Sequence, residues 1–334
     1  MAVSRPSPNF SSAKGSTSLE WFIFVRHLYI KGRIKASFPP PALTSRKRPH
    51  GKSMSDLLPS DAPAEFPPPQ RPAAQGRPGW ANATLRTIFA LILREMATRY
   101  GRSPGGYLWA VLEPLGMILI LAIGFSLLVR TPSLGTSFVL FYATGYLPFQ
   151  LFQSGTRFVG ASLKFSRPLL AYPAVSWIDA VLARFLLNLL TMLLVSYLIL
   201  VGAAMIIGVR LTVDFGPLSL AYGFAAALGL GVGLVNCVLT GFVPVWDSIW
   251  SIVTRPLFIA SGILFLFEEL PPLAQSILWW NPLFHVTALA RAGFFPMYRP
   301  EFVSLIFLAL VALPLIFLGL VFMQRYHKDI LSRT

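Results

Sequence analysis

Side chains able to do chemistry are few in this sequence, and they lie far apart. His27, His50, His285 and His327 show no metal-ligand spacing, and the single cysteine, Cys237, sits inside an apolar run. That pattern excludes a disulfide framework and a cysteine-based zinc site. No pair of carboxylates and no Ser–His–Asp set emerges, so acid–base and nucleophilic catalysis find no residues to work with. Gly51-Lys52-Ser53 has the ending of a phosphate-binding loop, but Arg46 stands where such a loop needs glycine, and no strand precedes it. Gly229, Gly231 and Gly233 form G-x-G-x-G inside an apolar helix, which suits close helix packing and not a dinucleotide site, since no strand leads into it. Ionisable residues inside apolar stretches are functional suspects by default. Here Glu113, Asp179, Arg184 and Arg255 are those residues, and each reads as an anchor near a helix end. Glu113 before Pro114 suits a helix N-terminus. Asp179 and Arg184 flank the start of an apolar segment, where they snorkel or pair locally, and Arg255 precedes Pro256 early in another.

The elements around these residues are set by composition. Of the 334 residues 55% are hydrophobic and only 12% charged, with a mean hydropathy of +0.64, against about 25% charged in soluble domains. The bilayer must cover what water cannot. Crossing it takes about 20 apolar residues per helix, and six segments qualify: about 114–129, 138–154, 181–207, 218–242, 249–267 and 302–323. Residues 268–300 are too apolar for an ordinary loop. Trp279, Trp280, Phe284, Phe294 and Phe295 stand there among Pro271, Pro272, Pro282 and Pro296, a pattern that predicts two short re-entrant helices. The expected fold class is an all-α integral membrane protein with six transmembrane helices over 111–334. An amphipathic interface helix and lead-in occupy 80–110, with Leu85, Ile88, Phe89, Ile92 and Met96 as its apolar stripe.

Residues 1–79 form a Pro/Arg-rich segment that cannot bury enough apolar surface to fold, and it is expected to be a disordered cytoplasmic tail. Met54 is an expected alternative translation start. Residues 1–110 hold 16 Lys/Arg against five Asp/Glu, and the remainder 12 against eight. A basic leader marks the cytoplasmic side, and Arg157, Lys164, Arg167, Arg325, Lys328 and Arg333 fall on that side if both termini are inside. The net charge of +15 comes with no groove-reading motif, so nucleic acid is not an expected partner. Tyr142, Tyr146, Phe149 and Phe152 recur at helical spacing along the second segment, beside Gln150 and Gln153. Aromatic faces stack on sugar rings and amides meet sugar hydroxyls, so this stripe suits a polysaccharide path. It equally suits ordinary packing and an interfacial belt.

The run from Arg94 through Arg99-Tyr100-Gly101-Arg102-Ser103 and Gly106-Tyr107-Leu108-Trp109 to Glu113-Pro114 resembles the lead-in signature of the ABC type-2 permease family. Arg167-Pro-Leu-Leu-Ala-Tyr-Pro173 resembles the cytoplasmic loop between that family's second and third spans. Ser261-Gly262, Leu270-Pro271, Asn281-Pro-Leu-Phe-His285 and Arg291-Ala-Gly-Phe-Phe295 resemble its final third, most closely in capsular-polysaccharide exporters, with O-antigen exporters near relatives. Phe242-Val-Pro-Val-Trp-Asp247 replaces a basic motif found in some relatives. The resemblance covers about 85–330. It implies a permease subunit with no ATPase site of its own, paired as a homodimer in the bacterial inner membrane around a lipid-linked polysaccharide. A separate nucleotide-binding ATPase subunit would bind ATP and Mg, so no cofactor is expected in this chain. It further implies ATPase coupling through Arg167, Pro168, Leu169, Tyr172 and Pro173, and an interface helix and lead-in at Arg94, Arg99, Tyr100 and Glu113. Export of O-antigen, teichoic acid, lipo-oligosaccharide or a drug by the same architecture is the alternative, and a membrane-embedded transferase a more distant one.

Overall fold

The computed structural model describes residues 80–100, 105–170, 175–208 and 213–333. Everything among them is helix or connection, with no strand. The elements are α1 (Trp80–Tyr100), α2 (Gly106–Ser126), α3 (Phe138–Gly160), α4 (Ser162–Leu170), α5 (Trp177–Ile207), α6 (Phe215–Phe242), α7 (Trp246–Ala260), α8 (Pro272–Leu278), α9 (Pro282–Phe294) and α10 (Leu305–Arg333), with a 3₁₀ turn at Phe267–Glu269. Among the described residues four helices, α2, α5, α6 and α10, are long and apolar enough to cross a membrane. The segment expected as the second span is the 23-residue α3, made more polar by Thr144, Gln150, Gln153, Ser154 and Arg157. The fifth is the 15-residue α7. Two short helices, α8 and α9, fill the aromatic, proline-broken segment. The N-terminal tail and Met54 lie outside the described residues.

Local chemistry fixes the helix ends. Ser176 opens α5 with a reciprocal cap: its hydroxyl accepts from Ile178 N at 3.3 Å, and Asp179 accepts from Ser176 N at 3.1 Å. Asp179 is therefore a capping residue. Asp214 caps α6 through Gly216 N. Glu113 does not stand at a helix start. Helix α2 begins at Gly106, so Glu113 lies two turns inside it and Pro114 is interior and buried. Counting apolar residues from the proline places the start too late, because membrane helices tolerate the missing N–H that ends helices in water.

Helix α6 lies at the centre, packed on α3, α9 and α10. Its glycines make this possible. A Cβ at Gly233 would lie 2.7 Å from Val159 Cβ of α3, and one at Gly229 only 3.1 Å from the Phe152 carbonyl oxygen. On the opposite side, Leu234 Cβ occupies the space a Cβ on Gly319 of α10 would need. In lipid no hydrophobic push drives helices together, so close van der Waals contact has to do it. Leu310, Leu313 and Phe317 of α10 and Ile120 and Ile123 of α2 are left exposed, an apolar belt for lipid or a partner chain to cover.

Gly233→Val is expected to lower stability by about 1–3 kcal/mol through overpacking. Gly223→Ala, where nothing lies within 4 Å, should leave it unchanged or slightly raised. Thermal unfolding of the two purified variants in lipid nanodiscs separates them, and equal midpoints would show that the seam is not tight.

Candidate functional site

One end of the bundle collects the basic residues. The chain leaves α3 through Gly160, breaks at Ala161 and turns into α4, which carries Lys164, Arg167 and Pro168 on its exposed side, with Leu169 half-buried. The tail of α10 arrives at the same end. Ile330 packs at Gly241, Tyr326 meets Phe242 with ring centroids 5.3 Å apart, and His327 meets Trp177 at 5.8 Å. Arg325, Lys328 and Arg333 lie on that tail. Tyr172 and Pro173 of the expected coupling loop lie outside the described residues.

Helix α1 is tied to this end by the one ion pair among the described residues. Arg184 of α5 donates from Nε to Glu95 Oε1 at 2.9 Å and from Nη1 to the Ala161 carbonyl at 2.9 Å. Its guanidinium lies 4.3 Å from the centre of the Phe165 ring on α4. Both charged side chains are buried. A single guanidinium thus joins the amphipathic helix, the α3–α4 break and the base of α5. Arg184 was expected to snorkel or pair locally; its partner instead comes from 89 positions away. Glu95 is not one of the apolar residues of the α1 stripe, yet it shares the inward face with buried Ile88. Leu85 and Phe89 of the stripe, together with Leu93, face outward, 65%, 63% and 50% exposed. Arg94 is exposed on α1, and Arg99 and Tyr100 form its last turn.

The aromatic stripe of α3 is filled from within the chain. Tyr142, Tyr146, Phe149 and Phe152 are all buried. Tyr142 packs on Phe125 and Phe141, while Tyr146 and Phe149 both meet Phe258 of α7, with centroids 6.2 and 5.5 Å away. The Tyr146 hydroxyl donates to Gln150 Oε1.

The opposite end mixes charges, with Asp214, Glu268, Glu269 and Glu301 in the same segments as Arg130, Arg291 and Arg299. Asp214 N donates to the Gly293 carbonyl, and the Tyr298 hydroxyl reaches Glu268 at 3.4 Å. Burial, and then the neighbouring Glu268 carboxylate, push the Tyr298 phenol well above its usual range. Helix α7 stops at Ser261-Gly262. Gly262 takes φ +71°, and a Cβ there would meet the Phe284 ring. Asn281 caps α9 through Leu283 N and donates to the Ala260 carbonyl, bridging the two helix ends. Ser304 N donates to His285 Nδ1, so His285 is the Nε2–H tautomer, donating to the Trp279 carbonyl. Fully buried Arg291 donates to the carbonyls of Ile263 and Phe265 and lies over the Phe141 ring. The Ser-Gly, Asn-Pro-Leu-Phe-His and Arg-Ala-Gly-Phe-Phe runs are therefore one folded lock. Among the described residues no group of His, Cys, Asp and Glu could hold a metal ion.

A model of the ABC-2 type transporter family matches residues 86–295, well over half of the chain. The chain belongs to that family. It is 36% identical over 229 residues to the polysialic acid transport protein KpsM of Escherichia coli, covering 68% of this chain and 88% of that one. It is 28% identical over 246 residues to the capsule polysaccharide export inner-membrane protein BexB of Haemophilus influenzae, covering 73% and 92%. The capsule polysaccharide export inner-membrane protein CtrC of Neisseria meningitidis serogroup B is 28% identical over 218 residues, covering 65% and 82%. The matched range begins inside α1 and ends at Phe295, so the buried ion pair, the α3–α4 break and the Asn281–Arg291 lock of this ABC-2 chain all fall within it.

Glu95→Leu or Arg184→Leu alone leaves a buried charge unpaired and is expected to cost about 3–5 kcal/mol. The double leucine variant should recover most of that stability. Thermal unfolding of the three variants is the measurement. Single variants as stable as wild type would mean that the pair holds nothing together.

Proposed function

We propose that this chain is the membrane-spanning subunit of an ABC exporter that carries capsular polysaccharide across the bacterial inner membrane. The observation that carries this reading is the match to two capsule polysaccharide export inner-membrane proteins and a polysialic acid transport protein over 82–92% of their own lengths. In this reading α2, α3, α5, α6, α7 and α10 are six spans, α8 and α9 dip in from the periplasm, and both termini are cytoplasmic. Two copies of the chain flank the path of a lipid-linked polymer. A separate ATPase subunit binds ATP and Mg and docks on α4 and the segment after it, around Arg167 and Pro168. ATP-driven movement of α4 then reaches α1 and α5 together, since the Arg184 guanidinium holds all three. The α3 aromatics become part of the path only when α7 withdraws Phe258 from Tyr146 and Phe149. The basic end of the bundle supports the orientation, because Lys and Arg resist translocation.

The purified chain alone should hydrolyse no ATP, and activity should appear on adding the partner. Arg167→Glu should lower the coupled rate severalfold without changing the amount of folded protein in the membrane. Hydrolysis by a preparation free of any nucleotide-binding subunit would sink the division of labour. The decisive test is deletion of the gene in its own host: surface capsule should disappear and polymer accumulate inside the cell, and a mutant with unchanged surface capsule overturns the reading.

Topology has its own check. In intact cells of a Cys237→Ser background, an impermeant thiol reagent should label Glu269→Cys and leave Lys328→Cys unlabelled. The reverse pattern would refute the assigned orientation.

A further inference from the structure

Helix α1 leaves its apolar row uncovered. Leu85, Phe89 and Leu93 follow one another four residues apart and face away from the bundle, so something outside the chain must cover them. The order of side chains around the helix says what. Turning about 100° per residue, α1 shows first the bundle-facing pair Glu95 and Ile88, then Leu85, Phe89 and Leu93 about 60–140° on from Ile88, then Arg86 at about 160° and Arg94 at about 240°. Bundle, apolar and cationic faces thus succeed one another at roughly quarter-turn intervals. A helix lying in one leaflet against the side of a bundle meets three surroundings in that order: protein, hydrocarbon, and the headgroups with the water above them.

Charge narrows the occupant further. Glu95 is the only carboxylate of α1, and it is buried on Arg184. Arg86 and Arg94 are exposed, and the one ion pair among the described residues does not include them. The outer surface of α1 therefore shows cations and hydrocarbon but no anion. Helix α2, which is in contact with α1, opens with exposed Tyr107, Leu108 and Trp109, and such aromatic residues gather at a membrane–water boundary.

We propose that α1 docks on anionic phospholipid of the cytoplasmic leaflet and that this contact sets the rate of ATP-driven transport. Leu85, Phe89 and Leu93 enter the acyl chains, while Arg86 and Arg94 hold lipid phosphates. Each guanidinium held at an anionic surface favours the docked position about fivefold. The proposal rests on the exporter reading, which puts α1 at the cytoplasmic face and ATP hydrolysis in the partner subunit, and it adds a lipid class as regulator. The route inward is the Arg184 guanidinium, which holds Glu95 of α1, the Ala161 carbonyl and the Phe165 ring of α4 at once. A helix held by the leaflet gives α4 a fixed point to move against, and a helix adrift from it does not.

Two measurements on the full chain test this, in nanodiscs of phosphatidylcholine with or without phosphatidylglycerol. In a Cys237→Ser background, a nitroxide at Phe89→Cys should be reached by oxygen and hidden from a water-soluble nickel chelate, and one at Ala90→Cys should show the reverse. With the ATPase subunit added, phosphatidylglycerol should raise the hydrolysis rate about threefold or more. Arg86→Gln with Arg94→Gln should bring that rate down to the neutral-disc level, while Arg86→Lys with Arg94→Lys should retain the increase. Glu95→Leu with Arg184→Leu should keep the nitroxide depth and lose the lipid response. A Phe89→Cys label open to the nickel chelate overturns the proposal. Spin–spin broadening between two labelled copies, or protection that appears only on adding the ATPase subunit, makes the surface a protein interface and overturns it too. So does a rate indifferent to phosphatidylglycerol, or a lipid response that survives the glutamine pair. A response that survives the leucine pair overturns the route through Arg184. If gene deletion leaves surface capsule intact, the exporter reading falls, and the nitroxide depths still decide where α1 lies.

Discussion

Hydrocarbon offers no hydrogen-bond partner, so a polar group held at membrane depth must find one within the chain. Helices satisfy their own backbones, and the informative places are those where the helix stops. Helix α7 ends at Ala260, and the carbonyls beyond it are not left bare. Asn281 takes the one at Ala260, Thr287 takes the one at Ser261, and Arg291 takes those at Ile263 and Phe265. A guanidinium is suited to this, with five donors fixed in a plane and no acceptor to satisfy. The same constraint operates at the opposite end, where Arg184 divides its donors between a carboxylate and the broken backbone at Ala161. In both places one arginine allows irregular backbone to persist.

Packing follows a second economy. Helices α3, α6 and α10 meet through glycines so closely that no Cβ fits, which makes them a block that moves as a whole. Helix α7 is held differently. It rests on α6 over a short stretch and reaches α3 through Phe258, while Ile252, Val253 and Ile259 stay exposed. Tight seams transmit displacement without absorbing it, and a ring contact such as that of Phe258 can open without leaving a hydrogen bond unmade.

Much of this was legible in the sequence, for reasons that can be named. Apolar length announced the helices, since twenty greasy residues have few other fates. Asp179 three residues after Ser176 and Pro282 after Asn281 are local signals, and both turned out to mark helix starts. The N-terminal edge of α2 was misplaced because proline carries the opposite meaning in lipid and in water. Glu95 was unreadable for a different reason: on an amphipathic helix a carboxylate beside arginines looks solvent-facing, and nothing local reports a partner 89 positions away. The spacing of Tyr142, Tyr146, Phe149 and Phe152 correctly put them on one face, but spacing does not say what covers that face.

In the proposed six-span arrangement the shortness of α7 acts on the bilayer itself. Fifteen residues rise roughly 22 Å at 1.5 Å per residue, against a hydrocarbon thickness of about 30 Å. The shortfall coincides with the Gly262 turn and the carbonyls that Arg291 collects. Lipid beside such a span would have to thin to match it, which brings water closer to the midplane there. A hydrated polymer crossing next to α7 would meet a shorter greasy interval than the membrane's nominal width implies.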